Sequence, residues 1–433
     1  MIKLLYRRMK YIRPIKATSL VSYARFDIPA KTIYARAILK NVDSKWPATL
    51  YREHLRVWNG FWERDPVKRS FKDYDEAFRT IILHMQNDTY KASKSPVGVT
   101  KDNQLFDGSH RVAAAIVTDT KLKVTPVEKT ISKYSYTYFK DRDVHVKHGL
   151  AKKYMDAMAL EYIRITPRHP YMILLFPSSH ADVNKVEKLI SETGDIVYKK
   201  NVEIEEKGIF NLIHQVYDGE IWNTSEKEKS VRFKAESCFP KGKGEVYAYL
   251  LDSHVKHEEI IRLKTEIRNL CNIGKHSVHI TDTKKEAFSV ASLFFNDNSL
   301  HLINNASDWR LPSNFNEMFD TYRGYLGVME EDICIDSSST LALYGLRDAR
   351  DIDYLWADRS VDMIPQSSNI SNHNQHAHWY TKSIDDIIYN PENHLYYKGK
   401  KFVSLSILRE MKKNRNEEKD KNDIKLIDKI KKL

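Results

Sequence analysis

Residues Asp336 to Leu355, DSSSTLALYGLRDARDIDYL, combine a serine-rich turn, a short apolar segment and two closely spaced aspartates. Asp351 and Asp353 are separated by one apolar residue, and alternate side chains of a β-strand share a face. The two carboxylates would therefore point the same way, as Mg²⁺ ligands do when water and phosphates complete the coordination shell. Ser337 and Ser338, at the expected helix start, offer hydroxyls and free N–H groups to those phosphates. The pattern predicts phosphoryl or nucleotidyl transfer.

The same stretch resembles the nucleotidyltransferase superfamily pattern, in which a Gly-Ser or Ser-Ser turn precedes an Asp-x-Asp with apolar flanks. Asp336 or Ser337 takes the place of the usual glycine. The resemblance covers about residues 325–430 and implies a nucleotidyltransferase fold with Asp351 and Asp353 as catalytic metal ligands. The candidates for the family's third carboxylate are Asp362, Asp385 and Asp386. An ordinary exposed aspartate pair in a charged loop is the alternative.

The C-terminal segment KFVSLSILREMKKNRNEEKDKNDIKLI looks like the helical segment that follows the catalytic sheet in many small members of that superfamily. The resemblance implies that Lys412 and Lys419 contact the nucleotide. Acidic and basic residues are mixed along the segment, so it also fits a solvated helix with i,i+4 ion pairs better than a nucleic-acid-binding arm.

A second candidate site lies in LFDGSHRVAAAI, residues 105–116. An apolar strand end and a glycine turn lead into an alanine-rich helix, whose first N–H groups and positive dipole potential favour an anion. The arginine can grip a phosphate in a fork, and the glycine lets the backbone approach the ligand. The candidate nucleotide-binding residues here are Asp107, Gly108, Ser109, His110 and Arg111.

This loop resembles the Asp-Gly-His-His-Arg type motif of the ParB/sulfiredoxin-like fold, with Ser109 in place of the first histidine. No helix-turn-helix pattern follows the motif, which argues against a partition protein, and no cysteine precedes Cys238, which argues against sulfiredoxin chemistry. The resemblance therefore implies the amino-acid-kinase-like branch, with Glu53 and Glu63 as catalytic carboxylates that act on a substrate hydroxyl. A structural helix N-cap and two surface carboxylates are the alternatives.

The middle of the chain contains EIRNLCNIGKHSVHITDTKKEAFSVASLFF, which is similar to the C-terminal part of nucleoside diphosphate kinases. The resemblance would make His279 a phosphohistidine and Arg268 a phosphate-binding residue. The spacing between them is shorter than in that family, and Ile280 replaces the expected glycine. We therefore expect a ferredoxin-like layout in which His279 is a partly buried structural residue. Near the C-terminus we expect a polar loop rather than a zinc site at His373, His376 and His378.

The length of 433 residues exceeds what one hydrophobic core organises, so two to three domains are expected. Prolines near residue 165 and the segment LPSNFN indicate two boundaries. The predicted fold class is a multidomain α/β and α+β protein with three domains. These are a ParB/sulfiredoxin-like nucleotide-binding domain over 1–160, a ferredoxin-like domain over 165–310 and a nucleotidyltransferase-like domain with a helical tail over 311–433.

The formal net charge of +12 favours polyanionic partners, which include nucleotides, sugar phosphates, nucleic acid and anionic membrane surfaces. No run approaches the ~18 apolar residues of a membrane span, and the first residues lack the apolar stretch of a signal peptide. Three scattered cysteines without metal-type spacing suit a reducing compartment. We expect a cytoplasmic protein without a transmembrane segment.

These patterns together predict an enzyme, a nucleotidyltransferase or a kinase-type phosphotransferase. It would use Mg²⁺ to move a group from a nucleoside triphosphate, ATP or CTP, to a small-molecule acceptor such as an alcohol, an amino acid or a sugar phosphate. The resemblance of the two outer domains implies a role in bacterial surface-polysaccharide biosynthesis. The alternatives are a ParB-like nucleic-acid-binding or nuclease-like regulator and a catalytically silent assembly protein.

Overall fold

The computed structural model describes residues 13–142, 149–180, 182–223, 228–307, 311, 315–326, 330–357 and 369–430. Within these ranges the chain forms three sheets that helices connect and cover. The predicted mixed α/β class is therefore confirmed. No helix in these ranges has the length and apolarity that a membrane crossing requires.

The first sheet is mixed and has the strand order β1-β4-β2-β3. Its strands are β1 (Arg13–Ile15), β2 (Val97–Val99), β3 (Leu105–Asp107) and β4 (Leu122–Pro126). The accompanying helices are α1 (Asp27–Leu39), α2 (Trp46–Asn59), α3 (Phe71–Gln86), α4 (Ser109–Val117) and α5 (Tyr136–Asp141). Strands β2 and β4 are parallel, and β1 and β3 run antiparallel to them.

Local sequence signals fix the ends of these helices. Ser70 and Asp73 form a capping box at the start of α3, because each side chain accepts a hydrogen bond from the backbone N–H of the other. Helix α2 ends at Gly60, whose φ of 62° is a conformation that glycine adopts without strain. The small residues Ala113, Ala114 and Ala115 are buried, which lets α4 approach α1 closely.

The second sheet follows helix α6 (Lys152–Ile165) and has the order β6-β7-β5-β8, with every neighbouring pair antiparallel. Its strands are β5 (Pro170–Leu175), β6 (Gly194–Ile204), β7 (Gly244–Ser253) and β8 (Val278–Ile280). The helices of this part are α7 (Val183–Thr193), α8 (Gly208–Val216), α9 (Glu228–Cys238), α10 (His257–Cys271), α11 (Lys284–Phe294) and α12 (Asp297–Asn305).

Strand β5 is buried on both faces, and its alternate residues enter different cores. Met172 and Leu174 join an apolar cluster that continues from the first sheet, whereas Ile173 and Leu175 pack with α7 and α10. The period of two residues along a strand explains this division. The core of the first sheet therefore extends into the second.

The third sheet has its own core and the order β11-β10-β9-β13-β12. Its strands are β9 (Ile333–Asp336), β10 (Ile352–Trp356), β11 (Ile370–Asn372), β12 (His394–Tyr397) and β13 (Lys400–Val403). Its helices are α13 (Phe315–Leu326), α14 (Ser338–Leu343), α15 (Ile384–Tyr389), α16 (Leu405–Arg415) and α17 (Glu418–Ile427). Strand β10 is antiparallel to β9 and parallel to β11.

Charged residues join the three parts at one junction. Arg36 in α1 binds both carboxylate oxygens of the fully buried Glu161 in α6, at 2.9 and 2.6 Å. Lys40, the residue that follows α1, pairs at 2.7 Å with Asp332, which lies just before β9. A cavity of about 460 Å³ opens beside this network and is lined from all three parts of the chain.

Candidate functional site

The turn between β9 and α14 has an unusual backbone conformation. Ser337 has φ 57° and ψ −125°, a region that L-residues rarely adopt and that glycine tolerates. The preceding residue Asp336 ends the strand, and Ser338 begins the helix. Of the two residues that could occupy the glycine position of the sequence pattern, Ser337 therefore has the conformation that glycine favours.

A carboxylate pair lies next to this turn. Asp353 on β10 stands directly opposite Asp336 on β9 in the antiparallel register, and opposed residues share one face of a sheet. His373, which follows β11, joins the two, with its Nε2 3.0 Å from Asp353 and its Nδ1 3.5 Å from Asp336. Asp351 precedes β10, is exposed and accepts a 3.4 Å hydrogen bond from Ser338.

The electrostatics of this cluster are dominated by its carboxylates. Burial alone would lower the pKa of His373, but the hydrogen bonds and charges of Asp336 and Asp353 outweigh it and raise the pKa to about 9. Burial and the neighbouring Asp336 also raise the pKa of Tyr380 well above its usual range. Asp336 Oδ1 is buried with the Tyr380 hydroxyl beside it, and neither atom forms a hydrogen bond of ordinary geometry among the described residues. The cluster therefore retains an unsatisfied carboxylate oxygen.

The candidates for a third carboxylate do not join this cluster. Asp385 accepts a hydrogen bond from the backbone N–H of Asp43, and Asp386 accepts one from the Ser44 hydroxyl, so both bind the α1–α2 connection. Asp362 lies outside the described residues. The additional carboxylate that the structure brings to Asp353 is instead Asp336.

Neither lysine of the helical tail reaches the serine turn. Lys412 is buried and pairs with Asp423 at 2.7 Å and with Asp420 at 3.4 Å. Lys419 is largely exposed on α17 and pairs with Glu417 at 3.0 Å. Lys412 therefore holds α17 against α16 in this structure.

The glycine loop before α4 is closely packed. Gly108 has φ 100°, and a Cβ atom there would lie 2.3 Å from Val97. The Arg111 guanidinium donates to the carbonyls of Ser95 and Pro96 at 3.1 and 2.8 Å and contacts the exposed Asp107 at 3.2 Å. Arg111 therefore fastens the segment before β2 rather than standing free.

Ser109 belongs to a buried polar cluster that the sequence pattern did not single out. Lys31 Nζ donates to Ser109 at 2.7 Å and to Asp27 at 2.6 Å, while Arg25 binds both oxygens of Asp27 at 2.8 Å. Burial would raise the pKa of Asp27, but the two cations hold it well below its usual range. The i,i+4 spacing of Asp27 and Lys31 was the only local signal of this cluster.

The remaining predicted site residues of the first part each have partners of their own. His110 Nε2 lies 2.9 Å from the Tyr51 hydroxyl, and burial lowers its pKa well below the usual range. Glu63 pairs with Lys68, and Glu53 pairs with Arg56 at 2.7 Å. The described contacts give neither glutamate a hydrogen bond to Ser109.

The histidines of the other two parts have contrasting surroundings. His279 is buried, lies 3.1 Å from Glu286 and packs edge-on against Tyr217. His376 and His378 contact the Trp379 ring, whereas His373 belongs to the carboxylate cluster. No group of three or more His, Cys, Asp or Glu side chains among the described residues is arranged to hold a metal ion.

Comparison of the chain with family models, with curated proteins and with solved structures found no significant match.

Proposed function

We propose that the chain is a Mg²⁺-dependent transferase that moves a phosphoryl or nucleotidyl group from a nucleoside triphosphate to a small-molecule acceptor. The observation that carries this proposal is the opposed pair Asp336 and Asp353 beside the positive-φ turn at Ser337. Strained backbone of this kind concentrates at sites that bind ligands.

The donor set fits Mg²⁺. Asp336 Oδ1 is buried without a hydrogen bond of ordinary geometry among the described residues, and Asp353 stands opposite it on the same face of the sheet. Mg²⁺ takes one or two carboxylates from a protein and completes its octahedron with water and substrate phosphates, so a cage of three side chains is not required. Asp336 and Asp353 would hold the ion, with Asp351 at the exposed rim. When bound, Mg²⁺ would neutralise charge on the phosphates.

The other residues of this turn would position the substrate. Ser337 and Ser338 present hydroxyls beside the carboxylates, where they would bind terminal phosphates. His373 contacts both Asp336 and Asp353 and would orient them. Positioning and charge neutralisation supply most of the rate in phosphoryl transfer, so no nucleophilic side chain is needed.

Topology supports the domain assignments that accompany this function. The second sheet is fully antiparallel, and helices join β5 to β6 and β7 to β8, which supports a ferredoxin-like middle domain, although α8 and α9 also lie between β6 and β7. The glycine loop before α4 supports a ParB/sulfiredoxin-like first domain, with Ser109 at the helix start. The strand, serine turn and helix followed by the aspartate strand support a nucleotidyltransferase-like third domain.

The test is nucleotide consumption by the purified chain with Mg²⁺, ATP or CTP and pooled alcohols, amino acids and sugar phosphates. We expect Asp353→Asn to remove turnover, because an amide weakens the charge that holds the ion. Asp348→Asn, an exposed change in the loop before β10, is the matched control and should retain it. Wild-type turnover in a well-folded Asp353→Asn protein would exclude this site as the catalytic one.

The nucleic-acid-binding alternative makes a different prediction. A DNA- or RNA-binding regulator would show duplex affinity that falls steeply with salt on a log-log plot. That behaviour, without nucleotide turnover under any acceptor pool, would favour the alternative over the transferase.

A further inference from the structure

Four cations lie close together beside β8, an edge strand of the second sheet. They lie on α9, on α10 and in the loop that follows α10, and we call them the cationic cluster: Lys234, Lys264, Arg268 and Lys275. Within the described part of the chain, none of them forms an ion pair, although their neighbours Arg232 and Arg262 on the same two helices do. A buried or half-buried charge normally has a counterion.

The hydrogen-bond partners of this cluster are uncharged, and they satisfy only some of its donor groups. Lys234 is 7% exposed, donates to the Lys275 carbonyl and stands 5.0 Å from the centre of the Tyr217 ring. Lys264 donates to the Ile280 carbonyl at 3.1 Å. Arg268 Nε is buried and has no hydrogen-bond partner in the ranges that the structure describes. These contacts leave the positive charge itself uncompensated.

The cations also act on one another. Burial lowers the pKa of Lys234, and the charges of Arg268, Lys275 and Lys264 lower it further. The thiol of Cys238 cannot offset them, because burial raises its pKa to about 12 and keeps it neutral. A bound anion would relieve both the repulsion and the desolvation of these groups.

Among the carboxylates near this region, Glu286 on α11 is already engaged. Glu286 binds His279 at 3.1 Å and also accepts the backbone N–H of Asp282 at 2.7 Å. It therefore stabilises the start of α11 and the buried histidine rather than the cationic cluster.

We propose that the cationic cluster is a binding site for a nucleotide-like anion, separate from the site proposed for group transfer. An arginine fork and several ammonium groups suit a phosphate better than a single carboxylate, because a phosphate has more acceptor oxygens. Aromatic surface lies beside the charges: Tyr217 packs against Trp222 at 5.1 Å, and Phe233 is 64% exposed. Phosphates would bind the cations, and a base would cover the exposed Phe233 ring.

The test measures binding of inorganic pyrophosphate and of ATP to the full chain by calorimetry, with EDTA present so that Mg²⁺-dependent binding is suppressed. We expect Lys234→Met and Arg268→Gln to weaken both ligands about tenfold, the loss of one charge-assisted hydrogen bond. Lys229→Met, an exposed change on α9, is the matched control and should bind as wild type does. Phe233→Ala should weaken ATP but not pyrophosphate.

Two further variants distinguish an anion site from a cluster with a purely structural role. Lys275→Met, at an exposed position, should raise the melting temperature of the free protein while reducing the shift that pyrophosphate produces. Asp353→Asn should leave pyrophosphate binding unchanged, so failure of the transferase proposal would not affect this result. Equal pyrophosphate affinity in wild type, Arg268→Gln and Lys275→Met would overturn the proposal.

Discussion

Replacing Ser337 by glycine should stabilise the third sheet, although it removes a side chain from a buried turn. Ser337 has φ 57° and ψ −125°, and a non-glycine residue in such a region costs about 1–3 kcal/mol. Glycine loses more backbone freedom on folding than serine does, and this costs about 0.5–1 kcal/mol, which offsets part of the relieved strain. The Ser337 hydroxyl contributes little, because its contacts with Asp336 and His373 are 3.4 and 3.5 Å long. We therefore expect a net gain of about 1 kcal/mol.

Hydrogen exchange is the appropriate assay, because a chain with several domains need not unfold in one step. Amides of β9 and α14 should exchange about fivefold more slowly in Ser337→Gly, which corresponds to about 1 kcal/mol of local opening free energy. Ser338→Gly is the matched control, because this residue lies in the first turn of α14 and gains no relief of strain. It should speed exchange, since glycine weakens a helix.

Ser337→Ala keeps the positive φ and should change exchange little. Equal acceleration of exchange in Ser337→Gly and Ser338→Gly would refute the reasoning, because it would mean that the turn carries no strain that glycine relieves.

Three other changes test the buried charges. Asp27→Asn leaves Arg25 and Lys31 buried without a carboxylate, so the free energy of unfolding, measured by urea denaturation, should fall by about 3–5 kcal/mol. The double variant Asp27→Asn with Lys31→Met should lose less stability, because one buried cation is also removed. Burial lowers the pKa of His54 well below 6.5. Below pH 6.5 the unfolded chain therefore binds a proton at this residue that the folded chain does not bind, and the stability of the folded chain falls as the pH drops. His54→Leu should make the loss of melting temperature between about pH 6.5 and 5 shallower; an unchanged slope would contradict this cause. Lys412→Met should destabilise the tail but leave the KM for nucleotide within about twofold. A large rise in KM would instead indicate that Lys412 contacts the nucleotide.

Local sequence patterns predicted the elements of the candidate site. The apolar residue between two aspartates placed Asp353 in a strand, and the serine run placed a turn and helix start before it. Gly108 likewise has the left-handed conformation that its position before a helix suggested. These features depend on the period of a strand and on turn chemistry, which act over a few residues.

Contacts that depend on sheet order could not be read from those patterns. His373 reaches Asp336 and Asp353 because β11 pairs in parallel with β10 while β9 pairs on its other side. The expectation of a polar loop around the three histidines did not include this role. Similarly, Arg111 looked free to bind phosphate, but the carbonyls before β2 occupy its guanidinium. Register across strands decides such contacts, and composition does not reveal it.

The net charge of +12 illustrates the same difference between composition and placement. Arg25, Lys31 and Lys412 are buried in ion pairs, so their charge serves to hold the chain together. The cationic cluster of the second sheet is not neutralised in this way among the described residues, which makes it a specific place where a polyanion would gain from binding. Binding there and group transfer at Asp353 would then be separable, because the two proposed sites share no residue. An Asp353→Asn protein that binds pyrophosphate but turns over no nucleotide is the combined result that the structure leads us to expect.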